Sequence, residues 1–108
     1  ATDASDVIYV PTDNTVASTA STIGEILQEA KVPAMGSDAA VIDATLFTYG
    51  VDYHAIGVQA GELAVKILKG DKPADLPVEK PNTAAVTVNE EMATALGFDA
   101  ETIKALEK

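Results

Sequence analysis

Hydrophobic and polar positions follow two rhythms along this chain, and the rhythms alternate. Residues 7–10 form a short continuous apolar run, the pattern of a strand buried on both faces. Pro11 stops it, and Thr12, Asp13, Asn14 and Thr15 supply loop and helix-capping chemistry. Val16, Ala20, Ile23, Leu27 and Ala30 then recur at helical spacing, with Glu25, Gln28 and Glu29 outside the stripe. The pattern predicts one helix ending near Lys31. Residues 32–35 read as a second strand closed by Gly36, Ser37 and Asp38, residues 39–46 as a short helix, and residues 47–51 as a third strand. Asp52 is placed to cap a long helix over residues 53–69, apolar over a wide arc because Val58 and Val65 lie off its main stripe. Gly70 and Pro73 stop it.

The rhythm changes over residues 71–81, where Pro73, Pro77 and Pro81 impose an extended, irregular path around a short strand expected at residues 76–79. Residues 84–88 read as another strand. Asn89 is expected to cap a helix over residues 90–96 that Gly97 ends, and Asp99 to cap a last helix through Leu106. Alternating strands and helices predict an α/β fold, a parallel sheet flanked by helices, with right-handed crossovers. Residues 1–50 read as β/α units, 51–80 as a helix and crossing segment, and 81–108 as a C-terminal strand with helices.

Charge narrows the function classes. Seventeen acidic residues against seven basic ones give a formal net charge of −10, which argues against nucleic acid and an anionic membrane surface, both of which require clustered cations. There is no Cys, so disulfides and thiolate zinc sites are out, and the single histidine, His54, has no second ligand beside it, so no metal is expected. No apolar run reaches the length of a membrane span. Ser18, Ser21 and Ser37 lack the nucleophile-elbow setting, and the glycine-rich phosphate loops are missing. No catalytic residue and no cofactor are expected.

What remains is at the strand ends. In parallel sheets ligands sit beyond the carboxyl ends of the strands, and three polar loops qualify: one with Asp13, Asn14 and Thr15, one with Ser37 and Asp38, and one with Tyr49 and Asp52. They should lie along one edge of one sheet. Each also has a plain structural reading: caps and turns for the first two, a half-buried packing residue for a tyrosine in the third. Asp13 or Asn14 is expected to cap the helix beginning near Thr15.

Several stretches then carry a resemblance: Asp6-Val-Ile-Tyr-Val-Pro-Thr-Asp-Asn-Thr-Val16, Val32-Pro-Ala-Met-Gly-Ser37, Thr48-Tyr-Gly-Val-Asp-Tyr53, Ala64-Val-Lys-Ile-Leu-Lys-Gly70 with Pro73, and Val86-Thr-Val-Asn89 with Leu96-Gly97. Together they resemble the C-terminal part of ABC-transporter substrate-binding proteins of the tryptophan/tyrosine type. The resemblance implies a Rossmann- or flavodoxin-like lobe of a two-lobed protein that closes on a small ligand and delivers it to a membrane permease. It implies an extracytoplasmic location, in the periplasm or at the cell surface as a lipoprotein. On this resemblance the chain is a C-terminal fragment, the ligand is an aromatic amino acid, and Asp13, Asn14, Thr15, Ser37, Asp38, Tyr49 and Asp52 are the candidate contacts. The long helix would then belong to a lobe whose sheet is missing, so self-association or a domain swap is expected. Two alternatives stay open: a flavodoxin-like sensory half-domain for a sugar or another small molecule, and a structural fragment that binds nothing.

Overall fold

The computed structural model describes residues 2–107. Three strands, β1 (Ile8–Val10), β2 (Ala34–Gly36) and β3 (Phe47–Val51), run parallel as neighbours, with Val10 beside Gly36 and Gly36 beside Thr48. β4 (Ala84–Val88) follows β3 in the sheet order. The Asn89 N–H donates to the Leu46 carbonyl at 2.9 Å, which puts the end of β4 beside the start of β3, so β4 runs against the other three. The expected α/β sheet is therefore parallel with one reversed edge.

Chain order and capping place the helices. The predicted first helix is two: α1 (Asn14–Ser18) and α2 (Ala20–Ala30). Thr19, at φ −118° and ψ 14°, breaks the run, and its hydroxyl donates to the Thr15 carbonyl at 3.0 Å, the side-chain competition that disfavours Ser and Thr inside helices. α2 ends at Lys31 in the left-handed region, φ 53°. A 3-10 helix at Ala39–Ala44 occupies the expected third helical segment. α2 lies so close to it that a Cβ on Gly24 would collide with the Asp43 carbonyl oxygen and come within 3.1 Å of its carbon.

Two apolar clusters hold these elements. The first joins Val10, Leu27, Val32, Ala34 and Val41, with Ile8, Val16, Ala17 and Ile23 packed against them. The second joins Leu46, Met92, Ala93 and Ile103, with Phe47, Val88, Leu96 and Ala100 around them. It forms because Asn89 caps α4 (Glu90–Leu96) through Met92 N–H at 2.9 Å while its Nδ2 donates to the Ile42 carbonyl at 3.2 Å. Gly97, at φ 80°, turns the chain into α5 (Ala100–Lys104), capped by Asp99. Lys104 ties α5 to α4, 2.8 Å from Glu90, and also meets Glu101 at 3.0 Å. Hydrogen bonding to Lys104 lowers the pKa of Glu90, and the two carboxylates raise that of Lys104. The Thr102 hydroxyl, followed by the Glu101 N–H, lowers that of Asp99.

Two sequence expectations fail here. β1 is not buried on both faces: Val10 and Ile8 point to the first cluster, whereas Tyr9 is 59% exposed because the helices cover only the opposite face. Residues 76–79 form no strand. Pro73–Asp75 makes a 3-10 turn, Pro77 has no N–H for a ladder, and Glu79 is engaged by Gln59.

The chain divides into two compact units, residues 1–50 with 85–108, and residues 51–84. The second is α3 (Tyr53–Leu68) and the proline-rich segment beside it. Asp52 caps α3 by accepting from the His54 and Ala55 N–H groups at 2.9 and 3.1 Å. Gln59 Nε2 donates to Glu79 at 2.7 Å and to the Lys80 carbonyl at 3.1 Å. No residue of α3 is buried.

Candidate functional site

The loops leaving β1 and β2 meet. Both strands point the same way and sit side by side, so their exits share one edge of the sheet. There the Thr12 and Ser37 hydroxyls lie 2.9 Å apart, although 25 residues separate them. The Ser37 N–H donates to the Val10 carbonyl at 3.2 Å, extending the strand pairing into the loop. The result is a small polar cleft of two hydroxyls flanked by two carboxylates, Asp13 and Asp38.

Each carboxylate also has a structural task. Asp13 caps α1, its Oδ1 accepting from the Val16 N–H at 2.9 Å, in agreement with the capping expectation. Asp38 caps the 3-10 helix through the Ala40 N–H at 2.8 Å and is only 6% exposed. Asp13 is exposed. The structure thus gives the two acids different settings: Asp13 stands at the mouth, and Asp38 lies beneath the surface. Asn14 and Thr15 are exposed in the first turn of α1. The Thr15 carbonyl is occupied by the Ser18 and Thr19 hydroxyls at 2.8 and 3.0 Å.

The end of β3 shares this edge, since β3 runs parallel to β2 and Gly50 lies against the backbone of Ser37 and Asp38. β3 continues through Val51, so Tyr49 is a strand residue, 50% exposed, while its neighbour Thr48 is buried on the other face. Asp52 opens the second unit, with its carboxylate committed to the cap of α3. The first unit therefore assembles the loops of Asp13 and of Ser37 with Asp38 at one edge. Thr12, read from sequence as a plain loop residue, is the contact that joins them. Nothing local marks it, because its partner is set by strand register.

A groove of about 430 Å³ lies between α2, the 3-10 helix and the start of α4. It sits by the Leu46 end of β3, opposite the exit edge, and Glu25, Asp43, Glu90 and Glu91 line it. Such a set of like charges has no evident ligand, and among the described residues no group of three or more His, Cys, Asp and Glu is arranged to hold a metal. The exit edge has the placement and the mixture of donors and acceptors that a polar solute needs. Among the described residues no helix is long and apolar enough to cross a membrane.

The family described as ABC transporter substrate binding protein matches residues 1–104. A protein of Clostridioides difficile named tyrosine-binding protein is 36% identical over 92 residues, 84% of this chain and 27% of that one. The ligand-free, open structure of a substrate-binding protein with adhesive properties from Clostridium difficile superposes with a TM-score of 0.75 at 37% identity, covering 86% of this chain and 32% of that one. A Streptococcus ABC domain solved in complex with L-Trp gives a TM-score of 0.73 at 36% identity, over 98% of this chain and 37% of its own. The chain thus spans roughly a quarter to two fifths of the length of these relatives. Sequence and fold agree, and the chain belongs to the ABC transporter substrate-binding protein family.

Proposed function

We propose that this chain forms one wall of the solute site of an ABC-transporter substrate-binding protein, and that the solute is an aromatic amino acid. The observation that carries the reading is the meeting of Thr12 and Ser37 at the exit edge, with Asp13 at its mouth. The cap uses Oδ1 of Asp13, which leaves Oδ2 for a ligand ammonium, while the two hydroxyls suit a carboxylate. Asn14, Thr15 and Asp38 border the same edge, and Tyr49 stands on β3 of the same unit. Relatives named for tyrosine binding and solved with L-Trp support the aromatic class. Delivery to a membrane permease from outside the cytoplasmic membrane belongs to the same reading, which needs no catalysis.

The test is a titration of the isotope-labelled chain with L-tryptophan and L-tyrosine, followed amide by amide. Shifts are expected at residues 12–15 and at Ser37 and Asp38. Affinity should be weaker than micromolar, because one wall leaves the ligand half solvated where binding sites usually bury about 70–90% or more of it. Absence of any response at those amides at saturating ligand overturns the proposal.

Self-association belongs to the same reading. Tyr53 is 61% and Leu68 86% exposed on a helix apolar over a wide arc, and a second copy exchanging residues 51–84 would cover it. Light scattering over a concentration series should show a mass rising above that of one chain; a monomer at every concentration rules the exchange out.

A further inference from the structure

Gly50 lies inside β3, where a missing side chain weakens a strand and commonly marks the close approach of another backbone. That approach is present. A Cβ at Gly50 would run into the Ser37 carbonyl oxygen, with the Ser37 carbonyl carbon at 3.1 Å and the Asp38 Cα at 3.3 Å. All three are backbone atoms, which cannot swing aside as the end of a flexible side chain does.

We infer that Gly50 is a positioning residue for the polar cleft: without a Cβ it lets the backbone of Ser37 and Asp38 rest on β3, and so holds the Ser37 hydroxyl against Thr12. The loop is fixed from several sides. Val10 receives the Ser37 N–H at 3.2 Å, Thr12 meets its hydroxyl at 2.9 Å, and Asp38 is engaged with the Ala40 N–H at 2.8 Å. The Val41 N–H holds the Asp38 carbonyl at 3.1 Å, and Gly50 supports the loop from the side of β3. A methyl group there forces either β3 or the loop to shift, and a shift of a few tenths of an ångström already spoils hydrogen bonds of this length. Gly50 is also the last residue of the first unit before the chain passes into residues 51–84. The loop that carries Ser37 therefore rests on the point where the chain leaves its unit. The functional consequence rests on the solute-site reading above; the positional claim does not.

The experiment compares Gly50→Ala with Gly57→Ala, a control in α3 where an added Cβ meets nothing within 4 Å. Both changes reduce unfolded-chain freedom alike, so that effect cancels. Without ligand, Gly50→Ala should move the amide resonances of Thr12, Asp13, Ser37, Asp38 and Ala40, and Gly57→Ala should leave them in place. Unmoved resonances in a folded Gly50→Ala overturn the positional claim. With L-tryptophan, the response at residues 12–15 should weaken about tenfold in Gly50→Ala, roughly the loss of one well-placed hydrogen bond, and remain intact in Gly57→Ala. An equal response in both variants overturns the functional link. If Gly50→Ala does not fold, the unsubstituted chain decides. A nuclear Overhauser contact between the α-protons of Gly50 and Asp38, with the Gly50 amide responding to L-tryptophan alongside Ser37, supports the inference. Absence of the contact, or a Ser37 response without one at Gly50, overturns it. If the unsubstituted chain shows no response anywhere, the solute-site reading falls, and the ligand-free comparison still judges Gly50 by itself.

Discussion

The two units of this chain use the same local grammar and reach different ends. α2, which follows α1 through Thr19, and α3, capped by Asp52, each carry an apolar stripe. α2 buries Ala20, Gly24 and Leu27, whereas α3 buries nothing. Helix signals in the sequence thus specify that a helix forms, and the company it keeps decides whether it stabilises anything. In the first unit, β1, β2 and the 3-10 helix at Ala39–Ala44 supply a cluster for α2 to join. In the second, the neighbour is a proline-rich segment that offers polar contacts from Glu79 and Lys80 and leaves Val78 98% exposed.

The sharpest way to break this contrast is to delete one leucine from each helix. Leu27→Ala removes a side chain only 3% exposed and should cost about 2–5 kcal/mol, as buried leucines do. Leu68→Ala touches a residue 86% exposed and should stay within about 0.5 kcal/mol. Urea unfolding of both variants checks the pair, and a Leu68→Ala loss as large as that of Leu27→Ala means that α3 is covered in solution.

A smaller effect sharpens the comparison at the caps. Asp13→Ala and Asp52→Ala each remove a side-chain acceptor worth about 1 kcal/mol to its helix. Asp13→Ala should lower the stability of the whole first unit, because α1 packs Val16 and Ala17 on its core. Asp52→Ala should speed amide hydrogen exchange only in the first turns of α3, with exchange around Leu27 unchanged. Equal spread of both effects would show that the units unfold as one.

Sequence and structure agree most closely where the signal is local and self-contained. Phe47–Val51, Ala84–Val88 and Glu90–Leu96 have the bounds that alternation, capping and a terminal glycine predict. Asp13, Asp52, Asn89 and Asp99 cap as their side chains suggest. Agreement stops where a partner distant in sequence decides the outcome. The break at Thr19 is the local exception, a hydroxyl bond to Thr15 that its residue type permits but does not demand. The run from Val7 to Val10 looks buried on both sides, yet only one face finds helices to pack on. At the cleft, the carboxylates were legible as loop residues after strands. The hydroxyl contact between Thr12 and Ser37 and the seat beneath Ser37 at Gly50 depend on register between strands, which no single stretch encodes.

Asn89 has a consequence for the order in which the molecule can be made. Its side chain reaches a carbonyl 47 positions earlier, and its backbone reaches Leu46. Chains leave the ribosome N-terminus first, at roughly 5–20 residues per second. β1, β2 and β3 emerge early, but Leu46 must wait through all of residues 51–84 before Met92, Ala93 and Ile103 appear to cover it. During that interval Leu46 and Phe47 stay open to solvent, and only the arrival of residues 88–103 closes over them.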